Sequence, residues 1–101
     1  MQQQDNISAE EFCIYHHIEM SFIHDLNDEG LIELARFDEK LFVPLQQLPL
    51  LEKMTRLHYE MDINIAGIES ITHLLNEMEA MQQQITQLHN KLRLYEGENE
   101  F

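Results

Sequence analysis

The histidines are the first side chains in this sequence whose type suggests chemistry. His16, His17 and His24, together with Glu19, lie near one another in the chain and offer the imidazole and carboxylate ligands of a metal site. Adjacent histidines in a turn, however, rarely direct their ring nitrogens at one ion, and no cysteine pair accompanies them. We therefore expect no bound metal and no cofactor.

Two pairs of adjacent carboxylates, Glu10–Glu11 and Asp28–Glu29, could in principle perform acid–base chemistry. Adjacent helical residues point in different directions, and no glycine-rich loop or nucleophile motif accompanies either pair. The single cysteine, Cys13, follows Phe12 in an apolar stretch, which predicts a small core residue rather than a reactive thiol. The sequence therefore favours a protein that is not an enzyme and has no small-molecule substrate.

The charge of the chain indicates what kind of macromolecule it binds. Its 101 residues include 19 acidic and 6 basic side chains, for a formal net charge of −13. Nucleic acids are bound mainly by lysine and arginine side chains that replace phosphate counterions, so we expect no nucleic-acid partner. A surface of this sign favours a basic protein partner.

Length and hydropathy limit the architecture. A chain of 101 residues suits one domain with an appendage, and 44% apolar residues are too many for a disordered chain. The apolar runs are too short to cross a membrane, and the N-terminus lacks the basic and apolar segments of a signal peptide. We therefore expect a cytoplasmic protein with no membrane partner.

The first third of the chain predicts two short helices. Residues 8–11, Ser-Ala-Glu-Glu, form a capping box, which starts a helix from about Ala9 to Tyr15. A turn at residues 16–18 leads to a second helix, roughly Met20 to Glu29, with apolar residues at helical spacing. Gly30 supplies the left-handed residue that commonly ends a helix. Two helices joined by a tight turn resemble a helix-turn-helix unit.

The middle of the chain predicts a β-hairpin and a third helix. Apolar runs at 31–37 and 40–43 flank Asp38–Glu39, a poor primed turn that leaves a longer loop open. Pro44 closes the second strand. A helix beginning near Pro49 then follows one apolar stripe, made of Leu45, Leu48, Leu51, Met54, Leu57 and Met61.

A long last helix runs from the N-cap Asn64 to about Glu96. Apolar residues recur in it at alternating spacings of three and four, which is a specific coiled-coil signal. This stripe needs a partner helix, so we expect a homodimer. Its seam, which we call the dimer seam, is Ile71, Leu74, Met78, Met81, Ile85, Leu88, Leu92 and Tyr95. The flanking positions are mostly uncharged and do not decide between parallel and antiparallel pairing.

The order of these elements carries a resemblance to a known family. With Ile7-Ser8, Gly30-Leu31-Ile32, Leu57-His58 and Ile63-Asn64, it resembles the MerR-type winged-helix domain with its C-terminal dimerisation helix. We therefore predict an all-α fold with a short β-hairpin wing, a MerR-like winged helix-turn-helix followed by a long coiled-coil helix. The boundaries are a disordered tail at 1–6, the winged domain at 7–62, the dimerisation helix at 63–96 and a tail at 97–101.

The sequence looks closer still to the CbpM-type chaperone modulators over about residues 7–95. The segments that carry this likeness are Glu11-Phe12-Cys13, Phe42-Val43, Leu51-Glu52-Lys53-Met54, Arg56-Leu57-His58 and Ile63-Asn64-Ile65-Ala66-Gly67-Ile68-Glu69. The resemblance implies a protein that binds the J-domain of a DnaJ-like co-chaperone, CbpA. Such a protein restrains both the co-chaperone's stimulation of DnaK and its DNA binding.

The charge of residues 19–39 separates this reading from its alternative, a MerR-like DNA-binding transcription regulator. MerR regulators place their second helix in the major groove, where basic or amide side chains are needed. The equivalent segment here, residues 19–29, has four carboxylates and no lysine or arginine. We expect the partner to contact seven carboxylates, which we call the acidic surface: Glu19, Asp25, Asp28, Glu29, Glu33, Asp38 and Glu39.

Overall fold

The structure, a computed structural model, describes residues 5–99. Its elements, in chain order, are β1 (Asn6–Ser8), α1 (Ala9–His16), α2 (Met20–Asp28), β2 (Ala35–Phe37), β3 (Lys40–Pro44), a 3₁₀ turn (Leu45–Gln47), α3 (Leu48–Tyr59) and α4 (Ile65–Asn99). The predicted fold class is confirmed: two short helices, a wing, a third helix and a long last helix. The chain divides into two compact units, one ending at Glu69 and one beginning at Ser70.

Ser8 begins α1 and Gly30 follows the end of α2, as the sequence predicted. The Ser8 hydroxyl accepts a hydrogen bond from the Glu11 amide at 3.2 Å, as the capping box requires. His17, with φ of 58°, ends α1 in the left-handed conformation. Gly30, with φ of 75°, follows the C-cap of α2 and confirms its predicted role.

The sheet has three antiparallel strands in the order β1-β3-β2. Ile7 pairs with Val43 on one side of β3, and Ala35 pairs with Phe42 on the other. The prediction of a disordered tail through residue 6 was wrong at Asn6, because this residue begins β1 and fills the edge of β3 that the hairpin leaves open. Residues 1–4 of that tail lie outside the described residues.

The wing has the two-residue turn that the sequence predicted, but its first strand is shorter than predicted. Asp38 and Glu39 form a two-residue turn with φ of 56° and 64°, so the longer loop does not form. The predicted first strand began at Leu31, but pairing starts only at Ala35. The reason is that two side chains bind the intervening backbone: the Glu33 amide donates to Gln47 Oε1 at 2.7 Å, and the Leu34 amide donates to Asn27 Oδ1 at 3.3 Å.

The core of the first unit lies between the helices and the sheet. Its largest completely buried side chains come from α2, β3, α3 and the first turn of α4, and they are Ile23, Leu26, Val43, Leu51, Met54 and Ile68. Because Ile68 belongs to this core, the compact unit extends past the predicted boundary at residue 62 and includes the start of α4.

The long helix begins at its predicted cap. Asn64 Oδ1 accepts a hydrogen bond from the Gly67 amide at 2.8 Å. The helix continues to Asn99, so the predicted tail at 97–101 was wrong for residues 97–99, since a single Gly97 lowers helix propensity without breaking the hydrogen-bond ladder. Residues 100–101 lie outside the described residues. Within residues 5–99, no helix is long and apolar enough to cross a membrane.

Candidate functional site

The acidic surface is carried by the first unit, on α2, the loop after it and the wing. The buried face of α2 consists of Phe22, Ile23 and Leu26, which turns Asp25 and Asp28 to the opposite, exposed face. The other five carboxylates of the surface are exposed as well. The structure therefore brings all seven predicted side chains to solvent, and partner binding by them stays a prediction.

Glu19 is held at the N-terminus of α2 by contacts of its backbone and side chain. Its amide donates to the Tyr59 hydroxyl at 3.3 Å, and its carboxylate accepts from the Ser21 hydroxyl at 3.2 Å. The Tyr59 ring packs edge-on against the Phe22 ring at 5.3 Å, and the His58 ring stacks on the Phe22 ring at 4.6 Å. The start of α2 is thus fixed against the end of α3.

Glu33, Asp38 and Glu39 are positioned by backbone geometry. The hydrogen bond to Gln47 Oε1 fixes the Glu33 backbone. The positive φ angles of Asp38 and Glu39 turn the chain at the wing tip, where both side chains are exposed. The wing therefore presents carboxylates at the position where a DNA-binding winged helix approaches a phosphate backbone.

The carboxylates of the acidic surface are not neutralised by neighbouring cations. Among the residues that the structure describes, one ion pair is present, and it joins His73 and Glu77 on α4 at 3.1 Å. None of the seven carboxylates has a Lys, Arg or His nitrogen within 4.0 Å in this part of the chain. None of the seven therefore forms a direct ion pair, although Glu39 shares a pocket with Arg36 and Lys40.

The wing's two basic residues line a small pocket of mixed charge. Arg36 and Lys40 lie with Glu10, Glu39 and His24 around a cavity of about 260 Å³. Two cations and two carboxylates balance there, so the pocket does not change the sign of the surface around it.

His16, His58 and Cys13 of the first unit occupy structural positions, whereas His17 and His24 are exposed. His16 packs on Phe12 with ring centroids 4.1 Å apart, and His58 Nδ1 lies 2.8 Å from the Ile63 carbonyl oxygen. Among the described residues, no three His, Cys, Asp or Glu side chains are grouped so as to hold a metal ion. Cys13 is buried, as predicted, and its thiol donates to Met20 Sδ at 3.4 Å. Burial, and secondarily the charge of Glu10, raises the pKa of this thiol above its ordinary value of 9.0.

The dimer seam lies along α4. Ile71 is half-buried, and the other seven side chains are between 54% and 68% exposed. An apolar stripe of this length facing water is unfavourable in a free helix. The pairing of two such helices stays a prediction.

Sequence reasoning missed two exposed apolar residues of α1. Ile14 and Tyr15 are 74% and 80% exposed, although they continue the apolar run of Phe12 and Cys13. Helical periodicity was the available signal: with Phe12 and Cys13 facing the core, the two residues that follow must turn away from it.

A helix-turn-helix followed by a strand-turn-strand wing and a long helix defines the winged helix-turn-helix class. Residues 7–90 match the family model described as MerR HTH family regulatory protein. Since the match covers most of its length, the chain belongs to this regulatory family. No curated protein and no solved structure matches the chain.

Proposed function

We propose that this protein is a chaperone modulator that binds the J-domain of a DnaJ/CbpA-like co-chaperone through the acidic surface. A J-domain presents a basic helix to an acidic patch on DnaK. The acidic surface binds that basic helix in place of DnaK and so restrains the co-chaperone's stimulation of DnaK. Charge matching speeds the encounter and sets specificity, while apolar contacts nearby hold the complex.

The observation that carries this proposal is the absence of cations on the exposed face of α2. That face consists of Ser21, His24, Asp25, Asn27 and Asp28. Two of its neutral polar groups are already engaged, Ser21 with Glu19 and Asn27 with the Leu34 amide. Such a face repels phosphates and attracts a basic helix.

We propose further that the protein is a homodimer in the cytoplasm. Two copies of α4, each 35 residues and about 50 Å long, would bury the dimer seam against one another. A dimer carries two acidic surfaces and can therefore hold two co-chaperone molecules. The proposal requires no cofactor, metal, membrane or nucleic acid.

The alternative function is that of a MerR-like DNA-binding transcription regulator, which the family match favours. The same fold supports both functions, so the fold does not choose between them. The two differ in what residues 19–39 must contact. A regulator needs that region to approach DNA, whereas a J-domain binder needs it to repel phosphate and attract lysine and arginine.

The experiment that tests the proposal is charge reversal on α2. In the Asp25→Lys/Asp28→Lys/Glu29→Lys variant we expect affinity for a J-domain, measured by isothermal titration calorimetry, to fall at least about tenfold. The matched control, Glu69→Lys/Glu79→Lys/Glu96→Lys, changes net charge equally at exposed sites outside the acidic surface. It should weaken binding much less.

Unchanged affinity in the α2 variant would reject this surface. A second measurement addresses the alternative, namely selection of DNA from a random-sequence library by the wild-type protein. Sequence-selective DNA binding at ordinary salt would favour the regulator and contradict the chaperone proposal.

A further inference from the structure

The outer face of α1 combines apolar and acidic side chains in an arrangement that the fold does not use. Glu10, Glu11, Ile14 and Tyr15 are all exposed. Each carboxylate lies one helical turn before an apolar residue, Glu10 before Ile14 and Glu11 before Tyr15, so the four side chains share one face. The two apolar residues are 74% and 80% exposed, which is more than any other large apolar side chain described in the first unit.

The opposite face of α1 prevents these residues from turning inward. Ala9, Phe12 and Cys13 are buried in the core, and the Phe12 ring packs on His16. Rotating the helix to cover Ile14 and Tyr15 would expose Phe12 and Cys13 instead. The exposure is therefore built into the packing of α1.

A groove lies at the end of α1, where its lining residue His16 packs edge-on against Tyr15 at 5.0 Å. It has a volume of about 380 Å³ and lies between the turn after α1, at His17 and Ile18, and the end of α3, at Arg56 and Tyr59. The Tyr59 hydroxyl accepts from the Glu19 amide at 3.3 Å, so the groove meets the acidic surface at Glu19. His16 therefore connects the exposed apolar pair to the groove, and Tyr59 connects the groove to Glu19.

The charge around this region indicates its occupant. Glu10, Glu11 and Glu19 flank the apolar pair in the chain, and Glu52 and Glu60 line the groove against a single cation, Arg56. A second copy of this chain, with its net charge of −13, would bring like charges to this rim. A segment that carries both leucine-like side chains and lysine or arginine fits it.

We propose that Ile14 and Tyr15 are the apolar anchor of a docking site for an amphipathic basic helix of a partner protein. Apolar side chains of that helix pack on Ile14 and Tyr15, and its cations pair with the carboxylates that surround them. Tyrosine is enriched among the few residues that supply most of the binding energy of an interface, and a polar rim commonly surrounds them. This inference rests on the proposed function in that it assigns the apolar contacts that hold the basic partner.

The test uses two synthetic helical peptides with identical lysines. One carries leucine at positions i and i+4 of one face, and the other carries serine there. We expect the full-length wild-type protein to bind the leucine peptide more tightly. In the Ile14→Ala/Tyr15→Ala variant its affinity should fall at least about tenfold, while affinity for the serine peptide stays unchanged.

The matched control is Met61→Ala/Leu94→Ala, which truncates two apolar residues that are 62% and 71% exposed, lie outside α1 and do not line the groove. It should bind both peptides as the wild type does. Circular dichroism and urea unfolding should show both variants folded, because none of the four side chains is buried.

Three results would overturn the inference. They are equal wild-type affinity for the two peptides, a leucine-peptide affinity that the Ile14→Ala/Tyr15→Ala variant leaves unchanged, and a loss of self-association in that variant by sedimentation. The last would mean that a second copy covers the face. If the peptides discriminate as expected but a J-domain does not bind, the docking site stands and the chaperone proposal fails.

Discussion

Gly67 lies in the first turn of α4, where neighbouring side chains leave no room for a Cβ atom. A Cβ atom there would lie 2.7 Å from Ile63 Cγ2 and 3.3 Å from Asn64 Oδ1. The Asn64 side chain is itself held by its hydrogen bond from the Gly67 amide. The glycine is therefore kept for close packing at the cap, although it costs about 1 kcal/mol of helix propensity relative to alanine.

This geometry predicts opposite effects for two glycine-to-alanine changes in the same helix. Gly67→Ala should lower the free energy of unfolding by about 1 kcal/mol, because the clash with the β-branch of Ile63 outweighs the gain in propensity. Gly97→Ala should not lower it, because nothing lies within 4 Å of a Cβ built there. Urea unfolding followed by circular dichroism measures both. A stabilised Gly67→Ala protein would contradict the packing at the cap.

The exposure of individual site residues was predictable only where charge decides it. The seven carboxylates of the acidic surface were expected at the surface because unpaired charges are rarely buried, and each is exposed. Ile14 and Tyr15 could not be assigned in the same way. Their run with Phe12 and Cys13 is uniformly apolar, and the side that faces the core is decided by contacts with other elements.

At the scale of elements, α4 is the helix that we expect to need a second copy of the chain to cover its apolar side chains. Seven side chains of the dimer seam are more than half exposed, although all seven are apolar. We expect Ile85→Glu, at the middle of the seam, to convert a dimer to monomers at micromolar concentration in sedimentation, because two charges would be buried without partners. Gln83→Glu, on the side of the heptad away from the seam, should leave the dimer intact.

A wild-type protein that sediments as a monomer would contradict the seam. So would a dimer that tolerates Ile85→Glu, since a charge at a paired core position cannot remain hydrated.

Helices and the hairpin were predictable from local signals, and the pairing of β1 was not. Ser8, Gly30 and Asn64 mark helix ends through their own side chain or backbone, so neighbouring residues suffice to find them. The three residues of β1 carry no such pattern, because their pairing depends on β3, more than thirty positions along the chain. Residues 31–34 were predicted as strand because their own apolar pattern does not show that the amide side chains of Asn27 and Gln47, 7 and 14 positions away, bind their backbone.

At the scale of the whole molecule, the net charge of −13 governs how partners approach. Raising the ionic strength from about 10 mM to about 150 mM shortens the Debye length from about 30 Å to about 8 Å. The association rate with a J-domain, measured by stopped-flow fluorescence, should therefore fall roughly tenfold or more. The dissociation rate should change much less, since contacts within the complex are screened less than the encounter.

An association rate that is independent of salt would mean that charge does not guide the encounter. The proposed dimer provides an internal comparison, because its seam is apolar and its assembly should not weaken as salt rises.

Ser8 belongs to two elements at once, and this affects how the protein can be engineered. It is the last residue of β1 and the cap of α1, so the outer strand and the first helix share one residue. A fusion joined directly to Ala9 would remove the strand beside Phe42–Pro44 and leave the first amides of α1 without their acceptor. Affinity tags and cloning boundaries should therefore stay upstream of Asn6, or the recombinant product will carry a loosened wing.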